Sequence, residues 1–203
     1  MSRNKINSKI WEAVRDRYHE REKQLRIEFA RSLPFQDAMF DRWERARSLG
    51  FEEGASIYNS ALVFGDVRVG AGTWIGPYVL LDGSGGLLSI GSTCSISAGV
   101  QIYTHDTVAW ALSGGVALGR KAGVRINDRC YVGSQSIISP GVEIGRCCVI
   151  AANSFVNSSV PDMTIVGGSP SRKLGHVEIV GETIRLVYDS DEKVVDLNFG
   201  QKI

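Results

Sequence analysis

Of the 203 residues, three are histidines able to accept a proton near pH 7, at positions 19, 105 and 176. His105 lies in the run Ile102-Tyr103-Thr104-His105-Asp106, with Trp110 shortly after it, and an earlier run reads Asp82-Gly83-Ser84-Gly85-Gly86. An imidazole beside a carboxylate is a pairing that can take a proton from a hydroxyl or amine. His19 falls among Arg and Glu in a helical stretch and reads as a solvated residue; His176 opens a C-terminal alternating segment. The four cysteines, at 94, 130, 147 and 148, match no paired C-x-x-C spacing and suggest neither a zinc site nor a secreted disulfide framework. No metal is expected.

Whether Asp82 and His105 meet depends on the segments that carry them. Aliphatic residues recur every six positions: Ile57, Val63, Val69, Ile75, Leu81, then Ile90, Ile96, Ile102, then Ile126, Val132, Ile138, Ile144, Ile150, Val156. A small or β-branched residue follows most of them four places later. Neither a helix nor a two-faced strand has this period; a solenoid of stacked repeats does. Ile126 and Ile144, Cys130 and Cys148, and Ile138 and Val156 repeat at 18, so three hexads make one triangular coil. Glycines at the second hexad position (Gly70, Gly76, Gly91, Gly133, Gly145) are expected at corners because they tolerate unusual backbone angles. The fold class is mainly β: a parallel β-helix.

The beat breaks twice, by three residues within 82–86 and by 18 residues between Thr104 and Arg125. Counting faces in rotation from Ile57 puts Leu81 and Ile102 on one face, one coil apart. Parallel strands lie about 4.8 Å apart, so Asp82 is expected beneath Tyr103, with His105 two residues further on. A site is therefore expected on this edge. Asp82 reads either as a ligand for a substrate hydroxyl or amine or as a turn residue before Gly83. Asp106 either orients His105 or starts the loop, and Tyr103 and Trp110 either stack on a ring or pack. Thr73, Cys94, Cys130 and Cys148 form one inward column, read as structural thiols with raised pKa, and Cys147 is expected outward as a surface thiol.

The solenoid is expected over 53–175, with an active-site loop at about 104–125. Residues 1–52 read as a helical cap: an amphipathic helix from Lys5 to about Leu33, and a second from Gln36 to Leu49. A cap is needed there, since an open β-helix end exposes unpaired strand edges. Residues 176–203 read as a short hairpin around Gly181-Glu182 and a polar tail. Hydrophobic content of 43% and a net charge of +1 speak against disorder and against nucleic acid as a partner. No stretch approaches the roughly 20 apolar residues of a membrane span. A cytoplasmic location is expected.

These hexads, the run Ile102–Asp106 before a long excursion, and Val166-Gly167-Gly168-Ser169-Pro170-Ser171-Arg172-Lys173-Leu174 resemble the hexapeptide-repeat acyltransferases. Within them the likeness is to the galactoside and maltose acetyltransferase branch and to sugar acetyltransferases of surface-polysaccharide clusters, over about Arg42 to Gly175. The resemblance implies a left-handed parallel β-helix, a homotrimer with sites between subunits, and acetyl-CoA as acyl donor. It implies a carbohydrate acceptor, His105 as general base in direct transfer, and pantetheine along Ala151 and Ala152. Gly168 would contact the cofactor and Arg172 and Lys173 would meet the CoA phosphates, although Ser171 and Arg172 stand where the family has Ala and Lys. A trimeric zinc carbonic anhydrase, on the same fold, needs three converging histidines, and this solenoid has one. A non-catalytic scaffold would show unbroken hexads and no edge histidine.

Overall fold

The computed structural model describes residues 3–190 and 193–198. Most hexads become a two- or three-residue strand and a turn, and strands one coil apart pair in parallel. One face stacks Ile57, Ile75, Ile96, Val132, Ile150 and Val166 in register. The second stacks Val63, Leu81, Ile102, Ile138 and Val156, and the third stacks Val69, Ile90, Ile126, Ile144 and Val160. All of these side chains except the half-buried Val63 are buried in one core. Burying an aliphatic side chain of this size stabilises by about 1.5–3 kcal/mol, so each coil depends on its neighbours.

The corner glycines are required for a different reason from the one expected. None of Gly70, Gly76, Gly91, Gly133 and Gly145 has positive φ. A Cβ on Gly133 or Gly145 would lie 2.4 Å from the backbone nitrogen of Ala152 or Asp162 in the next coil, so close stacking excludes the side chain. The left-handed residues sit two places later and include Thr93, Arg129, Gln135, Cys147 and Asn153.

Thr73, Cys94, Cys130 and Cys148 do form a buried column, in which the thiols of Cys94, Cys130 and Cys148 donate to the carbonyls of Asn127, Gly145 and Pro161. The expectation of uniformly raised pKa needs correction. Hydrogen bonding with Cys148 and Cys94, together with burial, pushes Cys130 up, whereas the hydrogen bond with Cys130 takes Cys94 and Cys148 down. Cys147 also differs from expectation: it is 8% exposed, because the C-terminal sheet covers it and leaves an apolar cavity of about 830 Å³ between.

The N-terminal segment forms α1 (Arg3–Phe29), α2 (Phe35–Met39) and α3 (Arg42–Ser48). The single helix expected over 36–49 is broken at Phe40, which is extended, and Asp41 restarts it by accepting from the backbone nitrogens of Trp43 and Glu44. Of the apolar side expected for α1, Leu25 is buried and Val14 half-buried, whereas Ile10 and Phe29 are exposed. The cap grips the first coil through Arg45, which donates to the carbonyls of Tyr58 and Ala61, and through Asp37, which accepts from Ser60 N. At the other end, Thr164–Gly167 pairs antiparallel with Arg172–Val180, then Thr183–Tyr188 and Val194–Asn198. The hairpin thus begins earlier than His176, and part of the polar tail is a third strand. Residues 1–2, 191–192 and 199–203 of the expected end regions lie outside the described residues. No described helix is long and apolar enough to cross a membrane.

Candidate active site

Both interruptions leave one corner, between the second and third faces. Strands Leu62–Val69 and Leu80–Ile90 turn this corner side by side, pairing Gly65 with Gly83 and then Val67 with Leu88. Asp66 alone therefore faces Ser84–Leu87, which is where the three extra residues go. In the next coil, Asp82 pairs with Tyr103 as expected. The chain then leaves the solenoid as an antiparallel stem, His105–Asp106 against Arg120–Lys121, topped by α4 (Val108–Leu112). Thr104, fully buried, ties the two departures together: its hydroxyl donates to Asp82 O at 2.7 Å and accepts from Gly85 N at 2.9 Å. A Cβ on Gly85 would lie 2.3 Å from Thr104 O and 2.6 Å from His105 Cβ, so the small insertion packs directly beneath the histidine.

This geometry brings the two candidate residues together. His105 Nδ1 is 3.4 Å from Asp82 Oδ2 and 3.4 Å from Ser84 Oγ. Asp82 Oδ1 accepts from Ser84 N at 2.9 Å and from the Ser84 hydroxyl. Asp82 is 7% exposed, so its carboxylate faces the protein more than a ligand. Its Oδ1 makes the local bond to Ser84 N expected of a turn aspartate, its Oδ2 faces His105, and the residue lines the cleft beside that histidine. A carboxylate on Nδ1 favours the tautomer with the proton there, which leaves Nε2 as the acceptor. Nε2 has no hydrogen-bond partner among the described residues. Both contacts, at 3.4 Å, are longer than an ordinary hydrogen bond.

The histidine opens into a cleft of about 660 Å³. The cleft lining includes Asp82, Tyr103, Asp106, Val108 and Arg120 together with Ile137, Ser139, Pro140 and Phe155. Tyr103 Oη donates to Gln101 and its ring lines the cleft. Asp106 Oδ1 accepts from Val108 N at the start of the loop, and no hydrogen bond or ion pair joins Asp106 to the imidazole. Trp110 is exposed and lies against Gly115, away from the cleft walls. Sequence reasoning missed Ser84, Ile137, Ser139 and Phe155. The last three are outward positions of the next coils on the same face, with Ile137 and Phe155 stacked over Gln101 and Ser139 following Ile138, and carrying the register two coils further would have found them.

The residues expected to meet CoA lie beyond Phe155. Phe155 N donates to Gly168 O and Ser171 N donates to Phe155 O, so the segment 168–171 adjoins the cleft wall. Ala151 is half-buried and Ala152 exposed. Arg172 is exposed and has no ion-pair partner among the described residues, whereas Lys173 Nζ lies 3.8 Å from Asp189. Of the other histidines, exposed His19 is on α1 beside Tyr18, and His176 Nε2 is 3.2 Å from Glu178. No group of three or more His, Cys, Asp or Glu among the described residues could hold a metal ion.

Residues 123–158 match the model of the bacterial transferase hexapeptide, six repeats. Protein CapG of Staphylococcus aureus is 35% identical over 124 residues, covering 57% of this chain and 66% of CapG. The carnitine operon protein CaiE of Escherichia coli is 30% identical over 128 residues, covering 61% of this chain and 65% of CaiE. The chain thus spans just under two thirds of the length of these curated relatives. Among solved structures, a hexapeptide-repeat containing acetyltransferase from Vibrio cholerae is 30% identical, with a TM-score of 0.52 over 81% of this chain and 91% of that one. The same protein has been solved complexed with acetyl coenzyme A. With 30% identity extending over nine tenths of that acetyltransferase, and the repeats stacked as its name describes, the chain belongs to the hexapeptide-repeat acyltransferase family.

Proposed function

We propose that this protein is an acetyl-CoA-dependent acyltransferase acting on a hydroxyl or amino group of a sugar or nucleotide-linked sugar. The observation that carries this reading is the imidazole of His105, backed on Nδ1 by Asp82 and open on Nε2 to a cleft. The acceptor hydroxyl or amine attacks the thioester carbonyl carbon while Nε2 takes its proton. The tetrahedral intermediate then expels the CoA thiolate, which recovers that proton as the thiol. No acyl-enzyme forms. Asp82 acts through His105, holding its tautomer and stabilising the imidazolium.

Arg172, without a carboxylate partner, is the better placed of the two basic residues for a CoA phosphate, and Gly168 and Ala151 line the approach. Tyr103 and Phe155 offer ring surfaces to a sugar. The excursion carries Leu112, Val116 and Leu118 at 85%, 84% and 90% exposure. Apolar residues so exposed favour a neighbouring subunit covering them, which supports a homotrimer of left-handed β-helices with sites between subunits.

The test is thioester consumption against free sugars, amino sugars and nucleotide-linked amino sugars, with His105→Ala in parallel. With a turned-over acceptor, kcat/KM should fall about 10²–10⁴-fold in the variant. Wild-type activity in His105→Ala would overturn the assignment.

A further inference from the structure

The N-terminal cap encloses a second cavity, of about 420 Å³, on the corner Tyr58–Asn59 of the first coil. One side is a stripe of α1 at successive turns: Arg17, Arg21, Leu25 and Phe29. The other side is the break between α2 and α3, with Phe40, Arg42 and Trp43, and Arg31 comes from the connection. Four guanidinium groups thus line one concavity.

The local carboxylates offset only part of that charge. Asp37 and Asp41 also line the cavity, two carboxylates against four guanidinium groups; Asp41 caps α3, and Asp37 accepts from Ser60 N and sits beside Arg45. Arg17 reaches Glu20 at 3.3 Å, but Arg21, Arg31 and Arg42 have no ion-pair partner among the described residues. Arg21 is held by Ala38 O, and Arg42 is stacked 4.1 Å over the Trp43 ring and contacts Tyr58 Oη. Both are therefore fixed before any ligand arrives. Like charges gathered in a low-dielectric concavity repel one another and concentrate field, and an anion relieves this. Guanidinium forks match phosphate oxygens, and Phe40 and Trp43, 60% and 43% exposed, add apolar ring faces alongside.

We propose that this cavity binds a nucleoside diphosphate group, the phosphates on Arg21, Arg31 and Arg42 and the base against Phe40 or Trp43. The site is separate from the His105 cleft, so the proposal does not depend on the function given above. Coenzyme A contains the same chemistry in its 3′-phosphorylated ADP portion, so a free nucleotide and the acyl donor must be distinguished.

Calorimetric titration of the full chain with ADP tests this, alongside Arg31→Glu, whose native side chain makes no hydrogen bond among the described residues and so is not needed for folding. ADP should bind, weaken at least about tenfold in Arg31→Glu, and keep its affinity in His105→Ala. Inorganic pyrophosphate should bind more weakly than ADP. Failure of ADP to bind, or equal affinity in Arg31→Glu, overturns the proposal, and pyrophosphate binding as tightly as ADP overturns the ring contact. The KM for acetyl-CoA should be unchanged in Arg31→Glu. A parallel rise would mean that ADP had reported the acyl-donor site, which also overturns it.

Discussion

The first face of the solenoid and the corner between the other two are built from the same hexads, yet one is uniform and the other is interrupted in successive coils. Along the first face, Ile57 to Val166 stack without a register shift, and every inward residue is buried. At the corner, the extra residues at 84–87 and the departure at His105 place polar groups beside one another: Asp82, Ser84, Thr104 and His105. A fully regular coil would have had apolar or turn residues there. The regular stack thus supplies rigidity, and the broken corner gathers the groups on which the proposed chemistry rests. Precision at the corner comes from the coils above and below it, which fix Asp82 and Tyr103 in register.

Four substitutions separate these two contributions. Ile138→Ala, within the regular stack directly over Ile102, should destabilise by about 2–5 kcal/mol in chemical denaturation. A much smaller cost would mean that the stack is not the source of stability. Asp82→Asn should leave the fold intact and lower kcat/KM roughly 10²-fold, because the imidazolium loses its carboxylate. A change confined to acceptor KM would instead make Asp82 a substrate ligand. Gly85→Ala sets a methyl group against Thr104 O and should cost about 1–3 kcal/mol while also lowering activity, since His105 Cβ stands in the same space. Loss of stability without loss of activity would uncouple the small insertion from the histidine. Trp110→Ala, at an exposed residue outside the cleft, should change stability by no more than about 0.5 kcal/mol and leave acceptor KM unaltered.

Much of this was legible in the residues. Period and register follow from spacing alone, because a parallel coil repeats its geometry at every level. The pairing of Leu81 with Ile102 and of Asp82 with Tyr103 could therefore be counted in advance. His105 was legible as the histidine next to a break. The ends of the chain were less so. The α2–α3 break at Phe40 has no glycine or proline to announce it, and it follows from packing on Tyr58–Asn59. Burial of Cys147 depends on a sheet formed some thirty residues later in the chain.

The sequence by itself determined a coil of three hexads with its core columns, and the edge where the repeat fails. It could do so because each inward position is dictated by burial and each step by a fixed strand spacing. Tertiary structure alone decided the roles of the side chains at that edge. Asp82 turns inward to His105 because Ser84 and Thr104 anchor it, and Asp106 goes to the loop because Val108 N is its nearest donor. Trp110 leaves the cleft because α4 carries it over Gly115. Such choices rest on hydrogen bonds between residues far apart in the chain, which spacing does not encode.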